Sequence, residues 1–397
     1  MALLFALLLF TGCWDKTELE DYTFVIMLGL DKADGDNLLV SLAYPVTQTN
    51  IGDAEGQGEY AVISAKSPTI AEAISLFGLT LAGPISLFST KTLVVSEELA
   101  RDEMLSRVFS SGQYEQMRNN TNVLVSSGSA AEFIAARIEK PAIDPLRQED
   151  LLLEQANFSA YYRPMQLLDF IINLRPGGMD AATMYGGLAG GGEEKEESKD
   201  SDEDRQTDDP VRTVGYLPGQ APISGDNPVQ IGGLAVFSGR RMVGALTSAE
   251  TRTLSMLTHS RTQKTLSIPS PYSEDEEMIV TVMPTRKGRT RANIDENGRP
   301  SFDITVHLRA RTPGTGVQTM DGGDEIARQI EAQLTQKMER LIKKLQDDYR
   351  VDLLGLGGRL SRNFYTIQEW EAYGWESWYP QAEIRVEVKV ELEGGRG

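Results

Sequence analysis

The residue with the plainest chemistry is Cys13, the only cysteine of the chain. It follows an unbroken apolar run, Met1–Phe10, and the small pair Thr11-Gly12. Ten residues at about 1.5 Å each in a helix reach only about half of a roughly 30 Å hydrocarbon core. That length suits the h-region of a signal peptide and is short for a membrane span. Small residues ahead of a cysteine then read as a bacterial lipoprotein processing site. A signal peptidase would remove residues 1–12, and the sulfur of Cys13 would carry the lipid. A lone thiol has no internal disulfide partner, and a free one outside the cell would be a liability. The alternative is a buried N-terminal element that ends at an ordinary cysteine.

Other reactive groups are sparse. His259 and His307 are the two histidines of the chain. His307 falls with Asp303, Thr305 and Arg309 on the polar face of a strand, and His259 at a helix end, so both are expected at the surface. Gly-x-Ser-x-Gly, Ser-x-x-Lys, Gly-x-x-x-x-Gly-Lys and His-Glu-x-x-His are absent. Asp and Glu are too numerous to single out a catalytic pair, which leaves a glycosidase open. Trp370, Trp375, Trp378 and Tyr379-Pro380 invite a sugar- or base-stacking reading; a patch covering a sheet edge or helix end is the plainer one. Gly355-Leu-Gly357 follows a helix and no helix is expected at once after it, so it is not read as a phosphate loop. No catalytic, cofactor or metal residue is assigned, and no cofactor is expected.

Charge narrows the partners. Lys and Arg number 39 against 58 Asp and Glu, a net of −19. That argues against nucleic acid and against a polybasic membrane patch, so membrane attachment is expected through lipid. The 397 residues allow two or three domains.

The elements that would hold these residues follow from patterning. Tyr22–Leu30 and Leu38–Tyr44 read as strands about the turn Asp31–Asp36, the first apolar on both faces as a central strand is. Glu59–Lys66 is a third. Ser67-Pro68 opens a helix with Ile70, Ile74, Phe77 and Leu81 inward. Lys91–Ser96 is a strand that runs into a helix at Glu97, and Asn122–Ser126 is another strand. Ser129–Glu132 is a capping box, and a further helix covers about Pro164–Leu174 before Pro176-Gly177-Gly178. This alternation predicts an α/β-like domain over 13–185.

Residues 186–212 break the pattern. Gly186–Gly192 leads into Glu193–Asp209, with ten acids against Lys195, Lys199 and Arg205. Such a run cannot bury enough apolar surface to offset its chain entropy, so a disordered acidic linker is expected. It lacks both the spacing of an EF-hand and the context of a dinucleotide loop. Residues 213–265 read as a middle domain: a hairpin of Ile231–Phe237 and Met242–Leu246, then the capping box Thr247–Glu250 and a helix with Leu254 and Leu257 inward.

Residues 266–397 read as a C-terminal α+β domain. Met278–Met283, Phe302–Ala310 and Ile384–Leu392 are its strands, the last alternating apolar and charged residues throughout. A helix from about Asp324 to Tyr349 lines up Ile326, Ile330, Leu334, Met338, Leu341, Leu345 and Tyr349 on one stripe. An antiparallel sheet crossed by that helix is the expected product. The whole chain is then α+β and multidomain, with mixed and antiparallel sheets each packed with helices.

Several stretches carry a family likeness. Gly12-Cys13-Trp14-Asp15-Lys16-Thr17-Glu18-Leu19, followed by Phe24–Leu30 and Asp31, resembles the opening of the Ger(x)C family. These are the lipoprotein C subunits of the germinant receptors of spore-forming bacteria. Ser67–Leu81 with Lys91–Leu99 is similar to the family's helix and strand-to-helix passage. Ala235-Val236-Phe237, Val243-Gly244-x-Leu246 and Glu250-Thr251-Arg252 resemble a further family segment, with Thr253 where the family tends to have Gly. Asp352–Gly357 and Trp370–Pro380 resemble its ending. The likeness spans Cys13 to Leu392 and leaves the acidic insertion without a counterpart.

The resemblance implies a non-enzymatic lipoprotein subunit of a nutrient germinant receptor. Its implied seat is the outer face of the spore inner membrane, through a diacylglyceryl group on Cys13. Integral membrane subunits of the A and B type are the implied partners, and nucleic acid is not. Two other readings stay open: a solute-binding lipoprotein of a transporter, with a cleft between two similar lobes, and a secreted carbohydrate-active enzyme.

Overall fold

The computed structural model describes residue 18 and residues 21–46, 59–110, 112, 116–139, 143–175, 177–190, 215–260, 262–269, 277–311 and 320–393. Cys13 and the acidic run over 193–209 fall outside them. The chain begins with β1 (Thr23–Phe24), β2 (Met27–Lys32), β3 (Leu38–Val46), β4 (Glu59–Ser67) and helix α1 (Ile70–Phe77). Next come β5 (Ile85–Ser86), β6 (Thr92–Ser96), α2 (Glu97–Ala100), α3 (Glu103–Ser110), β7 (Asn122–Ser126), α4 (Ala130–Glu139) and α5 (Pro145–Ser159). β8 (Met165–Gln166), α6 (Leu167–Asn173), β9 (Ala182–Leu188), β10 (Val229–Ser238) and β11 (Arg241–Leu246) complete this half. The second half holds α7 (Ser248–Leu257), β12 (Lys264–Pro269), β13 (Glu277–Pro284), β14 (Arg289–Ile294), β15 (Pro300–Arg311) and α8 (Met320–Lys344). α9 (Leu356–Leu360), α10 (Ile367–Tyr373), α11 (Trp375–Trp378) and β16 (Glu383–Leu392) end it.

The first sheet runs β11-β10-β9-β7-β6-β2-β3-β4, with β8 beside β7. Its centre is parallel, β2 to β6 to β7 to β9, and its flanks are antiparallel. A parallel centre needs cover on both faces. The sequence supplies it: every residue of β6 (TLVVS) and β7 (NVLVS) is buried. Leu93 and Val95 join a core with Phe77, Leu99, Leu105 and Phe170, while Val94 meets Phe133 and Ile134 of α4 on the other face.

The second sheet is built on β15. β14 pairs with Pro300–Thr305 and β13 with Leu308–Arg311, while β16 runs parallel to Ser301–Ala310. β12 adds outside β13. α8 crosses one face, where Ile326, Ile330, Leu334, Met338 and Leu341 pack with Phe302, Ile304, Val306 and Leu308. Alternation along β15 leaves the polar residues of the other face half-exposed.

Several expectations need correction. The second sheet is not wholly antiparallel, because α8 and the segment behind it carry the chain back to the end where β15 began, and β16 enters parallel to it. Alternation reports a one-sided strand and says nothing of direction. The long helix gives way at Lys344 to a π turn, Leu345–Tyr349, closed by Arg350 with φ 55°. α1 is capped by Thr69, whose Oγ1 accepts from the Glu72 amide at 3.1 Å; Ser67 still pairs with Leu38 in β4. α6 starts at Leu167 because Met165 and Gln166 pair with β7.

The linker and middle domain change most. Gly186–Leu188 continue β9 and pair with Val229–Ile231, so 186 is too early a start for a linker. β10 and β11, expected within a separate unit over 213–265, extend the first sheet through β9, whereas α7 buries Leu254, Met256 and Leu257 in the second core. Along β10, Ala235 and Phe237 belong to the first core, and Leu234 and Val236 to the second. One strand is shared by two cores.

Candidate functional site

Two of the motif stretches that carry the family likeness, Ala235–Arg252 and Asp352–Pro380, converge where the two sheets join. The hairpin offers the first half of the contact. Gly244 lies under the Tyr349 ring, only 2.4 Å from where a Cβ would stand to Cε1, so a side chain there would displace the ring. The Tyr349 hydroxyl donates to the Ala245 carbonyl at 2.9 Å. Thr247 and Glu250 form a reciprocal capping box on α7, and the same Glu250 takes Lys344 of α8 at 2.7 Å. The end of the long helix is thereby fastened to the hairpin.

Asp352 makes the second half. Its carboxylate accepts from the Leu356 amide at 3.0 Å, the Gly357 amide at 2.7 Å and the Trp375 indole at 3.3 Å. The amide of Asp352 donates to Asp180 Oδ2 at 2.7 Å, and the Asp180 amide donates back to the Asp352 carbonyl at 3.1 Å. Two segments 172 residues apart are thus paired by main chain and side chain together. Burial raises both carboxyls, each to about 6, against the pull of the amides that bond them. A short helix, α9, does start directly after Gly355, contrary to expectation. Its first amides are taken by Asp352, so they serve as an internal cap.

The aromatic cluster covers this joint. Trp375 is buried edge-on to Phe302 at 5.7 Å and to Tyr379 at 5.6 Å. Tyr373 stacks between Trp370 and Trp378 at 5.9 Å from each, and Trp370 donates its indole N–H to the Gly177 carbonyl at 3.2 Å. The rings stack on one another and close the end of the second sheet.

The histidines separate. His307 lies on the outer face of the second sheet, opposite Lys389, as the strand pattern implies. His259 is not a surface residue. At φ 58° it ends α7 with its ring against Gly288, and its ring nitrogens are buried with no hydrogen-bond partner among the described residues. Burial, helped by Arg359, holds its pKa below the usual imidazole value. The outer face around His307 gathers Arg286, Lys287, Arg289, Arg291, Arg385 and Lys389 beside Asp303 and Glu387. Among the described residues no group of three or more His, Cys, Asp or Glu could hold a metal. No helix of the described residues is long and apolar enough to cross a membrane. Cys13 lies outside the described residues. Sequence reasoning missed Asp180, because its role exists only opposite Asp352.

Residues 15–185 match the family model described as spore germination protein N-terminal domain, and residues 232–395 the model described as spore germination B3/GerAC like, C-terminal. Spore germination protein KC of Bacillus subtilis (strain 168) is 21% identical over an alignment of 403 residues, covering 98% of this chain and 93% of that protein. Spore germination protein B3 of the same organism is 20% identical over 357 residues, 88% of this chain and 84% of its own. A local match of 138 residues to the YfkR protein, also of Bacillus subtilis (strain 168), reaches 30% identity and spans 33% of this chain and 36% of that one. The crystal structure of the GerBC protein shares the fold, with a TM-score of 0.52 at 13% identity over 92% of this chain and 96% of that one. On the two family models, which together span most of its length, this chain belongs to the GerAC-like family of spore germination proteins.

Proposed function

We propose that the chain is the C-type subunit of a nutrient germinant receptor, non-enzymatic, anchored by a diacylglyceryl group on Cys13 to the outer face of the spore inner membrane and partnered by integral membrane subunits. The observation that carries this reading is the use made of the family-like residues. Gly244, against Tyr349, and Asp352, paired with Asp180, link the two sheets, and Glu250, Gly357 and Trp375 brace those links. A part whose characteristic residues fix one layer against another suits a docking body in an assembly. A solute-binding protein would need two lobes free to close on a cleft; here β10 is buried on both faces by the two cores, which leaves no hinge at that joint.

The anchor is the testable part. Each buried methylene contributes about 0.8 kcal/mol, and one acyl chain holds a protein only marginally where two give lasting attachment. A diacylglyceryl cysteine carries at least two chains. A Cys13→Ala chain expressed in spores should leave the inner-membrane fraction and abolish the nutrient response while the body melts at the wild-type temperature. If the variant stays membrane-bound after a high-salt wash in spores lacking the partner subunits, the lipid anchor is not what holds it.

A further inference from the structure

Where α5 and the turn after it meet α7, the fold forms a partly open cavity of about 90 Å³. Its polar wall includes Asn157, Arg163 and the hydroxyls of Thr251, Ser255, Thr258, Ser260 and Thr262. Ala156, Ala160, Leu234 and Leu254 make up much of the remainder. The first sheet contributes Leu234 and the second unit contributes α7, so the cavity lies across the joint between them. The turn itself is tied to β10 by the Gly233 amide, which donates to the Tyr161 carbonyl at 2.6 Å.

Arg163 lines this cavity, and Arg252 and Lys264 lie beside residues of its wall without an acid. Nη2 of Arg163 is buried and makes no hydrogen bond with any described residue. Arg252, 6% exposed, donates to the Thr265 carbonyl and sits over the Tyr161 ring at 5.1 Å, but its Nε has no partner among the described residues. Lys264, 1% exposed, donates to the carbonyls of Ser260 at 3.2 Å and Thr262 at 2.6 Å, both residues of the cavity wall. Among the described residues no carboxylate forms an ion pair with any of the three. Burial lowers the pKa of Arg163, Arg252 and Lys264 alike, and brings Lys264, next to Arg252, down to about 7.

Buried charge is strongly disfavoured unless paired, and folded proteins normally place an acid beside it. Here the neighbours are carbonyls, an aromatic ring, hydroxyls and the Asn157 amide. Three of those hydroxyls are already committed as donors: Thr251 Oγ1 bonds the Thr247 carbonyl at 2.9 Å, Ser255 Oγ that of Arg252 at 2.7 Å and Thr258 Oγ1 that of Leu254 at 3.0 Å. These three leave only lone pairs for the cavity, whereas Ser260 and Thr262 bond each other at 3.0 Å and keep one O–H between them. We propose that the cavity is a binding site for a small organic carboxylate, held by the free fork of Arg163, with Arg252 and Lys264 supplying the surrounding positive field.

The walls set the class. A guanidinium fork matches a carboxylate with two parallel bonds. The apolar side of the cavity suits a short carbon chain better than a hydrated inorganic ion. A cavity of about 150 Å³ takes benzene, so this smaller one admits an acid of only a few carbons. The hydroxyls of Thr251, Ser255 and Thr258, which can only accept, favour a ligand with its own O–H donor, a short hydroxycarboxylate over the plain acid. An α-ammonium group would face the Arg163 guanidinium with no acid in the wall to offset it, and is excluded. The inference stands apart from the receptor reading, since it needs neither the anchor nor the partners.

The experiment is a thermal-shift titration and calorimetry of the full chain with lactate, propionate, alanine and inorganic phosphate as probes. Lactate is expected to bind and raise the melting temperature in a dose-dependent way, propionate more weakly, alanine and phosphate not at all. Arg163→Met should weaken lactate at least 10-fold while melting no lower than wild type without ligand, because it removes an unpaired, part-buried charge. Arg163→Lys should recover part of the binding. Lys264→Met is the companion, expected to weaken lactate several-fold. Phosphate binding with no response to lactate would overturn the assignment to organic acids. A wild-type chain indifferent to all four probes, or an Arg163→Met chain that binds lactate as tightly as wild type, would overturn the site itself.

Discussion

The two sheets bury charge in opposite ways. In the first, helices cover both faces, and a salt bridge is buried between them: Arg137 and Glu149 meet at 2.5 Å with side chains 7% and 1% exposed. In the second, α8 covers one face only, and the other carries ion pairs such as Lys389–Glu387 at 3.0 Å with both partners about half exposed. The physical consequence is a difference in tolerance. Breaking a buried pair strands a charge, which costs about 3–5 kcal/mol, whereas exposed pairs contribute about 0–1 kcal/mol. The first sheet is therefore the rigid half and the second offers the adaptable surface. The joint between them, built on β10, Asp180 and Asp352, makes the two respond as one body.

The largest effect expected is from a charge placed in either core. Val94 is fully buried in β6 and Leu334 is 1% exposed on α8. An unpaired carboxylate there costs several kcal/mol against a total stability of about 5–15 kcal/mol. Val94→Asp and Leu334→Asp should both make the chain protease-sensitive, and because β10 belongs to both cores each should loosen the whole body. Limited proteolysis would decide this. If Leu334→Asp left the fragment before residue 190 as resistant as in the wild type, the two halves would be independent and the shared strand would be unimportant.

What the sequence made legible follows the same division. The second sheet was readable because one wet face forces strict alternation: Phe302–Ala310 and Ile384–Leu392 each show it, and the α8 stripe from Ile326 to Leu345 is buried as spaced. The first was readable as an alternation of strands and helices. The boundary between them was not, since β10 (VQIGGLAVFS) is apolar on both faces, and a run of that kind does not say which neighbour covers which face. The parallel entry of β16 and the partnership of Asp180 with Asp352 depend on contacts far apart in sequence, with no local sign. Likewise Arg163, Arg252 and Lys264 lie on three different elements, and nothing in their own surroundings marks them as neighbours. His259 was misread because a helix end was taken for an exposed position, whereas Gly288 lets the second sheet close over its ring.

A smaller effect is expected at the joint, and it has a sign. Burial raises the carboxyls of Asp180 and Asp352 from 3.8 to about 6 in the folded chain. Between about pH 4 and 6 the folded state therefore holds protons that the unfolded state has released. Stability should fall as pH rises through that window and level off above it. Asp180→Asn keeps an oxygen to accept from the Asp352 amide while removing one of the two charges. It should flatten the slope and add about 1–2 kcal/mol at pH 7.5, read by urea unfolding at pH 4.5 and 7.5. An unchanged slope would mean that the aspartates are hydrated and do not lock the joint.

The smallest effect belongs to the outer face of the second sheet. Arg289 and Arg291 project there from β14, opposite Thr305 and Asp303 of β15. Neither makes an ion pair within 4.0 Å among the described residues, and Asp303 has Arg385 at 3.7 Å from the other side. Removing either arginine therefore strands no carboxylate. The Cβ of the replacement still faces water, and what remains is an interaction between exposed charges, screened within about 8 Å at physiological salt. Arg289→Ala and Arg291→Ala should each shift stability by less than about 0.5 kcal/mol, with the shift vanishing in high salt. Urea midpoints at two salt concentrations measure it. Arg137→Ala in the first sheet is the control, expected to fall by several times as much at either salt. A loss at Arg289 comparable to that at Arg137, and insensitive to salt, would show that the outer face is covered in the folded protein and that the contrast between the two sheets is not one of burial.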